Sequence, residues 1–373
     1  MKRILFILLL FSWNLDAQTI FRVNNSPGVT GVNVYTTIQD AHDAASDGDI
    51  IYVEPSLDTY GALLCTKRLT ILGNGYFHNQ NENDSYETKQ SILEKIVFDI
   101  GSDSSVVRGL TITNQGGEHG SSIEGEGVKK IQISNCRILG AIYFDYYYDY
   151  DLNINKRCSE WIIINNFCKE LNATSIIQAP HPTNLVISNN LMEYAANIGG
   201  GSLIYNNTLY ATGGNSGLWS IYGSEVFNNI IQTTSCDNCG EPITLFTDAA
   251  TVNTNVYNNI LIYDDMDDGW TPQWKLPEGN GNVSNVEKGS VFIIPNPDIY
   301  SEYDWADKNY ILNPSSPAKG IGVNNVDAGA FGGVNPYVLA GQIPYPIITD
   351  FKSTGAGNAS VPLQIDITVK GNN

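Results

Sequence analysis

The asparagine pair that interrupts one strand-like stretch after another constrains this chain more than any other feature. In "VYNNILIY" (256–263), Asn258 and Asn259 sit among valine, tyrosine and isoleucine, although asparagine is depleted in strands. The construction returns as "VFNNIIQ" (226–232), "IYNNTLY" (204–210), "VISNNLM" (186–192) and "IIINNFC" (162–168), with looser copies "IQISNCRI" (131–138) and "LTITNQG" (110–116) upstream. The leading asparagines fall at 114, 135, 165, 189, 206, 228 and 258. That period belongs to solenoids, and its unevenness fits a constant strand pair joined by loops of variable length. Helical repeats are excluded by the β-branched alternation, and the leucine-rich pattern is missing.

An all-β, single-stranded right-handed parallel β-helix meets these demands. Short strands of successive coils stack and close one apolar cylinder. Between strands the chain must turn sharply through a left-handed residue, a conformation asparagine tolerates best after glycine. Stacking also brings the amides above one another, so that they can bond along the axis. Val226, Ile230, Val256 and Ile260, beside the corners, are expected to point inward.

The ends agree. "TTIQDAHDAASDGD" (36–49) reads as a short capping helix, with Thr36 and Gln39 as a capping box and Ile38, Ala41 and Ala45 on one face. "IIYV" (50–53) reads as the first strand. Two alternating runs in residues 343–373, "IITDF" and "LQIDITV", read as a hairpin. The expected organisation is a signal peptide (1–17), a β-helix domain (18–335) and a C-terminal β segment (336–373) that caps the solenoid.

Compartment follows from the first residues. "MKR", then "ILFILLLF", then Leu15 and Ala17 form a signal peptide. Its apolar run is too short to span a bilayer, and no later segment approaches that length. The mature protein is therefore expected to be secreted or at the cell surface, without a transmembrane segment. There Cys65, Cys136, Cys158, Cys168, Cys236 and Cys239 are expected to be at least partly oxidised to disulfides, "CDNC" (236–239) forming either a local disulfide or two separately paired cysteines in a loop. The net charge of −19 argues against unaided binding to nucleic acid or to an anionic membrane.

"TIQDAHDAASDGDIIYVEP", Tyr60 and "KRLTILGNGY" (67–76), together with "YILNPSSPAKGIGVNNVDAGAFGG" (310–333), resemble the opening and closing segments of secreted bacterial pectate-lyase-like right-handed parallel β-helix proteins. The matching residues are caps, turns and core, so the resemblance carries fold and compartment. Its implication for activity is polysaccharide recognition, with cleavage by a polysaccharide lyase or glycoside hydrolase as the enzymatic form of that class. In lyases of that family, carboxylates hold calcium against a sugar acid and an Arg or Lys acts as base.

In such a cylinder inward side chains are core, so function is expected on outward residues and longer turns. The insertion "AIYFDYYYDYDLNINKRCSEW" (141–161) crowds Tyr143, Tyr146, Tyr147, Tyr148 and Tyr150 among Asp145, Asp149 and Asp151. Tyrosine rings stack on sugars, and carboxylates bind hydroxyls or calcium. One coil earlier, "SIEGEGVKK" (122–130) puts Glu124 and Glu126 on the same side of a strand, with Asp145 beside them if the coils are in register. Lys129, Lys156 and Arg157 lie close by in sequence.

The expected substrate-binding set is thus Glu124, Glu126, Tyr143, Asp145, Tyr146, Tyr147, Tyr148 and Arg157, with calcium as the cofactor the carboxylates would take. The partner is a polysaccharide or cell-surface glycan, bound by a monomer, and no catalytic residue is assigned. The alternative class is a non-catalytic surface adhesin or structural β-helix. Weaker signals are Glu118 and His119 in "NQGGEHG" (114–120) and the acidic turn "YDDMDDGW" (263–270).

Overall fold

The protein is described by a computed structural model covering residues 18–76, 89–113, 120–173, 181–210, 217–233, 235–237, 243–246, 253–263, 270–272, 274–293, 307–341, 347–353 and 362–370. Glu118, His119, Cys239 and the acidic run 264–269 lie outside the described residues, as does the expected signal peptide.

The chain winds as a parallel β-helix. One sheet stacks eleven short strands, from Val34–Tyr35 at one end to Asn255–Tyr257 at the other. Along it Ile51, Ile71, Val107, Ile133, Ile163, Ile187, Ile204, Val226 and Val256 meet in register and fill the interior. A second sheet of fourteen strands closes the coil. Its long strands break register, as between Ile138 and Ala141, and so present two outward faces rather than one.

Asn135, Asn165, Asn189, Asn206, Asn228 and Asn258 all take φ between 52° and 57°, each directly after a strand of the first sheet. They are the corners of successive coils, as the repeat requires. The amide ladder belongs to the residue after each corner. The Asn166 amide donates to Asn190 Oδ1, Asn190 to Asn207, Asn207 to Asn229 and Asn229 to Asn259, each at 3.0 Å. Each amide also donates to a backbone carbonyl of the preceding coil, such as Ile187 O for Asn207. Every rung is thus a buried polar group with its partners made, the condition under which burial is tolerated.

The corner asparagines themselves hold a later segment of the chain. The closing segment (307–341) runs back along the outside of the coils. Asn258 Nδ2 donates to Ile321 O, Val323 N donates to Asn228 Oδ1, Asn206 Nδ2 donates to Asp327 O, and Asn189 Nδ2 donates to Ala330 O and Gly332 O. At its far end Tyr76 N donates to Ala340 O at 2.8 Å.

This segment covers one outward face and creates a second core. Phe167, Leu191, Ile230 and Ile260 pack there against Phe292, Tyr310, Ala328, Ala330 and Tyr337. Ile230 and Ile260 therefore face the closing segment instead of the interior, which corrects the expectation for them; Val226 and Val256 do point inward. The reason is parity: Asn229 and Asn259 take the inward position, so the residue after each turns out and Ile231 and Leu261 turn in. Burying each such aliphatic side chain stabilises by about 1.5–3 kcal/mol.

At the other end, helix Ile38–Ala44 buries Ile38, Ala41 and His42 over the first coil. Its N-cap is Thr37, whose hydroxyl accepts from Asp40 N, one residue later than the Thr36–Gln39 box. Gln39 instead reaches across to Leu64, accepting from its N–H at 2.9 Å. The first strand is Ile20–Val23, which pairs with Ile50–Val53.

Cys65, Cys136, Cys158 and Cys168 are free and buried, which corrects the disulfide expectation for these four. Each fills part of the apolar interior. Burial pushes the thiols of Cys65, Cys136 and Cys158 up to about 11, 12 and 12, and that of Cys168 up as well. The side chain of Cys236 and the whole of Cys239 fall outside the description. The strands Ile347–Ser353 and Ile365–Lys370 form the expected antiparallel hairpin.

Candidate functional site

The outward face of the second sheet that the closing segment leaves open carries the sequence-predicted carboxylates. Glu124 stands beside Tyr143 of the next coil, Tyr143 beside Asn172, and further along Ala196 beside Trp219. Glu126 stands beside Asp145, as in-register stacking requires. A second row, nearer the bend, pairs Ala141 with Glu170 and Glu170 with Tyr194.

Core packing behind this face fixes its side chains. Phe98, Gly125 and Phe144 are partners in register. Gly125 leaves room for Trp161, whose ring meets Phe98 and Phe144 edge-on at 5.8 and 5.2 Å. A Cβ on Gly125 would lie 2.5 Å from the Trp161 ring. Trp161 Nε1 donates to Val128 O at 2.9 Å, so the buried indole is satisfied. The "EGEG" pattern therefore has a packing cause: its glycine admits the tryptophan, and its glutamates point out.

Electrostatics on the face are uneven. Lys95 Nζ lies 2.6 Å from Glu124 Oε1, and Ser121 also donates to that carboxylate. Glu126 titrates above the usual carboxylate range, first because it is partly buried and then because Asp99, Asp145 and Glu124 crowd it. The Tyr194 hydroxyl is raised by burial and by its hydrogen bond to Glu170, and Glu193 adds to this. Asn197 Nδ2 donates to Asn172 Oδ1 at 3.0 Å, anchoring that amide.

The predicted tyrosines divide. Tyr143 is only 5% exposed, because its neighbours in the row cover it on both sides, so it does not offer a face to a ligand. Tyr146, Tyr147 and Tyr148 lie on the extension of strand Arg137–Asp149, which leaves the coil stack and pairs antiparallel with Ile154–Arg157. Tyr148 packs edge-on against Tyr150 at 4.8 Å and donates to Asn153. Lys156 pairs with Asp149 at 2.7 Å. Arg157 stands opposite Tyr146 and donates to His181 O at 3.5 Å.

The structure thus brings Glu124, Glu126 and Asp145 together, places Tyr146 to Tyr148 and Arg157 on an adjoining hairpin, and withdraws Tyr143. Among the described residues no group of three or more His, Cys, Asp or Glu is placed to hold a metal ion. Sequence reasoning missed Glu170, Asn172, Tyr194 and Trp219. Counting from the corners would have found two of them: Glu170 and Tyr194 follow Asn165 and Asn189 at the same interval.

No protein-family model matches the chain, and no curated protein matches it. Solved structures do. DFA-IIIase from Arthrobacter chlorophenolicus A6 in complex with DFA-III is 14% identical, with a TM-score of 0.42 over 72% of this chain and 75% of that one. The same enzyme in complex with GF2 is 15% identical, with a TM-score of 0.41 over 67% and 69%.

Proposed function

We propose that this is an exported carbohydrate-binding β-helix protein that, as a monomer, lays a linear glycan across the open outward face of its second sheet. The supporting observation is the strip itself. Trp219, 37% exposed, and the half-buried Tyr194 supply aromatic surface, while Glu124, Glu126, Asp145, Glu170 and Asn172 supply hydroxyl partners along consecutive coils. Coils repeat about every 4.8 Å, close to the rise of a sugar residue in an extended chain. The 146–157 hairpin forms a side wall. Aromatic stacking gives affinity, and carboxylates and amides set orientation.

Retention of the secreted protein on immobilised pectate, alginate, glycosaminoglycan and neutral glycans tests this reading. Trp219→Ala combined with Glu124→Gln should abolish retention on the preferred glycan with little change in melting temperature. Undiminished retention by this double variant would sink the proposal.

A further inference from the structure

A second candidate lies on the other sheet, where the two sheets end out of step. The second sheet continues for one more coil, with Val283–Glu287 pairing to Ile260–Tyr263. The first sheet stops at Asn255–Tyr257. Where its next strand would lie, the chain passes instead as a turn, with Gly279, Asn280 and Gly281 at φ 85°, 51° and 73°. The result is a cleft of about 670 Å³ lined by Tyr257, Phe246, Pro277, Asn255, Glu225 and Asn280, among others.

An aromatic stack ends at this cleft. Outward on the first sheet, Tyr205 lies on Phe227 and Phe227 on Tyr257, with ring centroids 5.0 Å apart in both pairs and planes within 7° and 2° of parallel. The stack runs along the solenoid axis, so Phe227 has both faces covered. Tyr257 is the last ring, and its outer face looks into the space of the missing strand. Its hydroxyl donates to Glu225, which also accepts from Asn255 Nδ2 at 2.6 Å. Among the described residues the rim is otherwise neutral, made of Thr254, Asn255, Asn258 and Asn280.

We infer that this cleft is a binding site for a neutral sugar ring, which continues the stack on Tyr257. A pyranose has one apolar C–H face and a belt of hydroxyls. The free ring face matches the first, and the amides with Glu225 match the second, since they both accept and donate. Glu225, the carboxylate among the described lining residues, disfavours an anionic sugar here. Tyr257 acts as the platform, and Asn255 holds Glu225 in place as a hydroxyl acceptor. The site stands apart from the open face of the second sheet and does not depend on it.

Calorimetric titration of the full chain with neutral hexasaccharides of glucose, mannose, galactose and xylose, and with hexagalacturonate beside them, tests the inference. At least one neutral probe should bind in preference to the acidic one. Tyr257→Ala should weaken that binding by about tenfold, and Tyr257→Phe should retain it. Should Tyr257→Ala unfold the last coils, Pro277→Arg decides: an arginine reaching into the cleft from the turn must abolish binding while the melting temperature holds. The inference fails if no neutral probe binds, if hexagalacturonate binds better, or if Tyr257→Ala or a folded Pro277→Arg variant binds like the parent. Loss of binding in Trp219→Ala alone would assign the glycan to the open face and overturn this site, whereas loss in Tyr257→Ala alone leaves the open-face reading to its own test.

Discussion

Two outward faces of the same sheet have opposite fates. On one, Phe167, Leu191, Ile230 and Ile260 are buried under the closing segment and belong to a hydrophobic core. On the other, Glu124, Asn172, Tyr194 and Trp219 are left partly or fully open. Both begin as strand positions that alternate with the interior, and the coil backbone does not distinguish them. What differs is the partner that residues 307–341 provide, pinned to the corner asparagines by hydrogen bonds. An outward position in a solenoid is therefore surface only where no later segment returns to cover it.

The sharpest way to break this comparison is to treat a covered residue as if it were surface. Phe167→Ala should destabilise the protein by about 3–5 kcal/mol, as a core truncation does, read by urea unfolding followed by circular dichroism. A loss below that of an exposed aromatic would show that the closing segment contributes little.

Next in size is the backing of the open face. Gly125→Ala should cost about 1–3 kcal/mol through overpacking against Trp161, with a change in the near-ultraviolet signal of that indole. A neutral result would mean that Trp161 does not hold the glutamates in place.

The covered face should also respond to pH. Burial raises the Asp307 carboxyl above the usual range, although Ala340 N donates to it at 2.6 Å and Tyr337 at 3.2 Å. A raised acid stabilises the folded state in its protonated form. Its contribution is full below the ordinary aspartate value of about 4 and is lost as pH rises through the raised value. Melting temperature should thus decline as pH climbs out of the acidic range, and Asp307→Asn should flatten that decline. An unchanged profile in the variant would remove Asp307 from the account.

The smallest effect belongs to the open face. Trp219→Ala should change stability by no more than about 0.5 kcal/mol, the usual range for surface substitutions. A loss of core size would make Trp219 a packing residue and erase the contrast between the faces.

Much of the fold was legible because it is written locally and repeated. A left-handed corner selects asparagine by backbone sterics, and the corner at Asn258 has the same cause as the one at Asn165. Parity along each strand then fixes which residues can point inward, as Ile163, Ile187 and Ile204 do. The carboxylate row Glu124, Glu126 and Asp145 was legible for the same reason, since register carries over from coil to coil.

Tertiary structure alone decided what covers what. Nothing near Ile230 announces that residues about a hundred positions later will lie over it, with Gly329 N donating to Asn228 O. Tyr143 reads like its neighbours Tyr146 to Tyr148 in sequence, yet it stays within the coil stack and is buried while they leave on a hairpin. The cysteines look like a disulfide set for an exported chain, but each of the four described ones is free and occupies an apolar interior position. Local conformation and alternation are short-range properties that a sequence states directly. Coverage and pairing depend on contacts between residues far apart in the chain, which only the folded arrangement brings together.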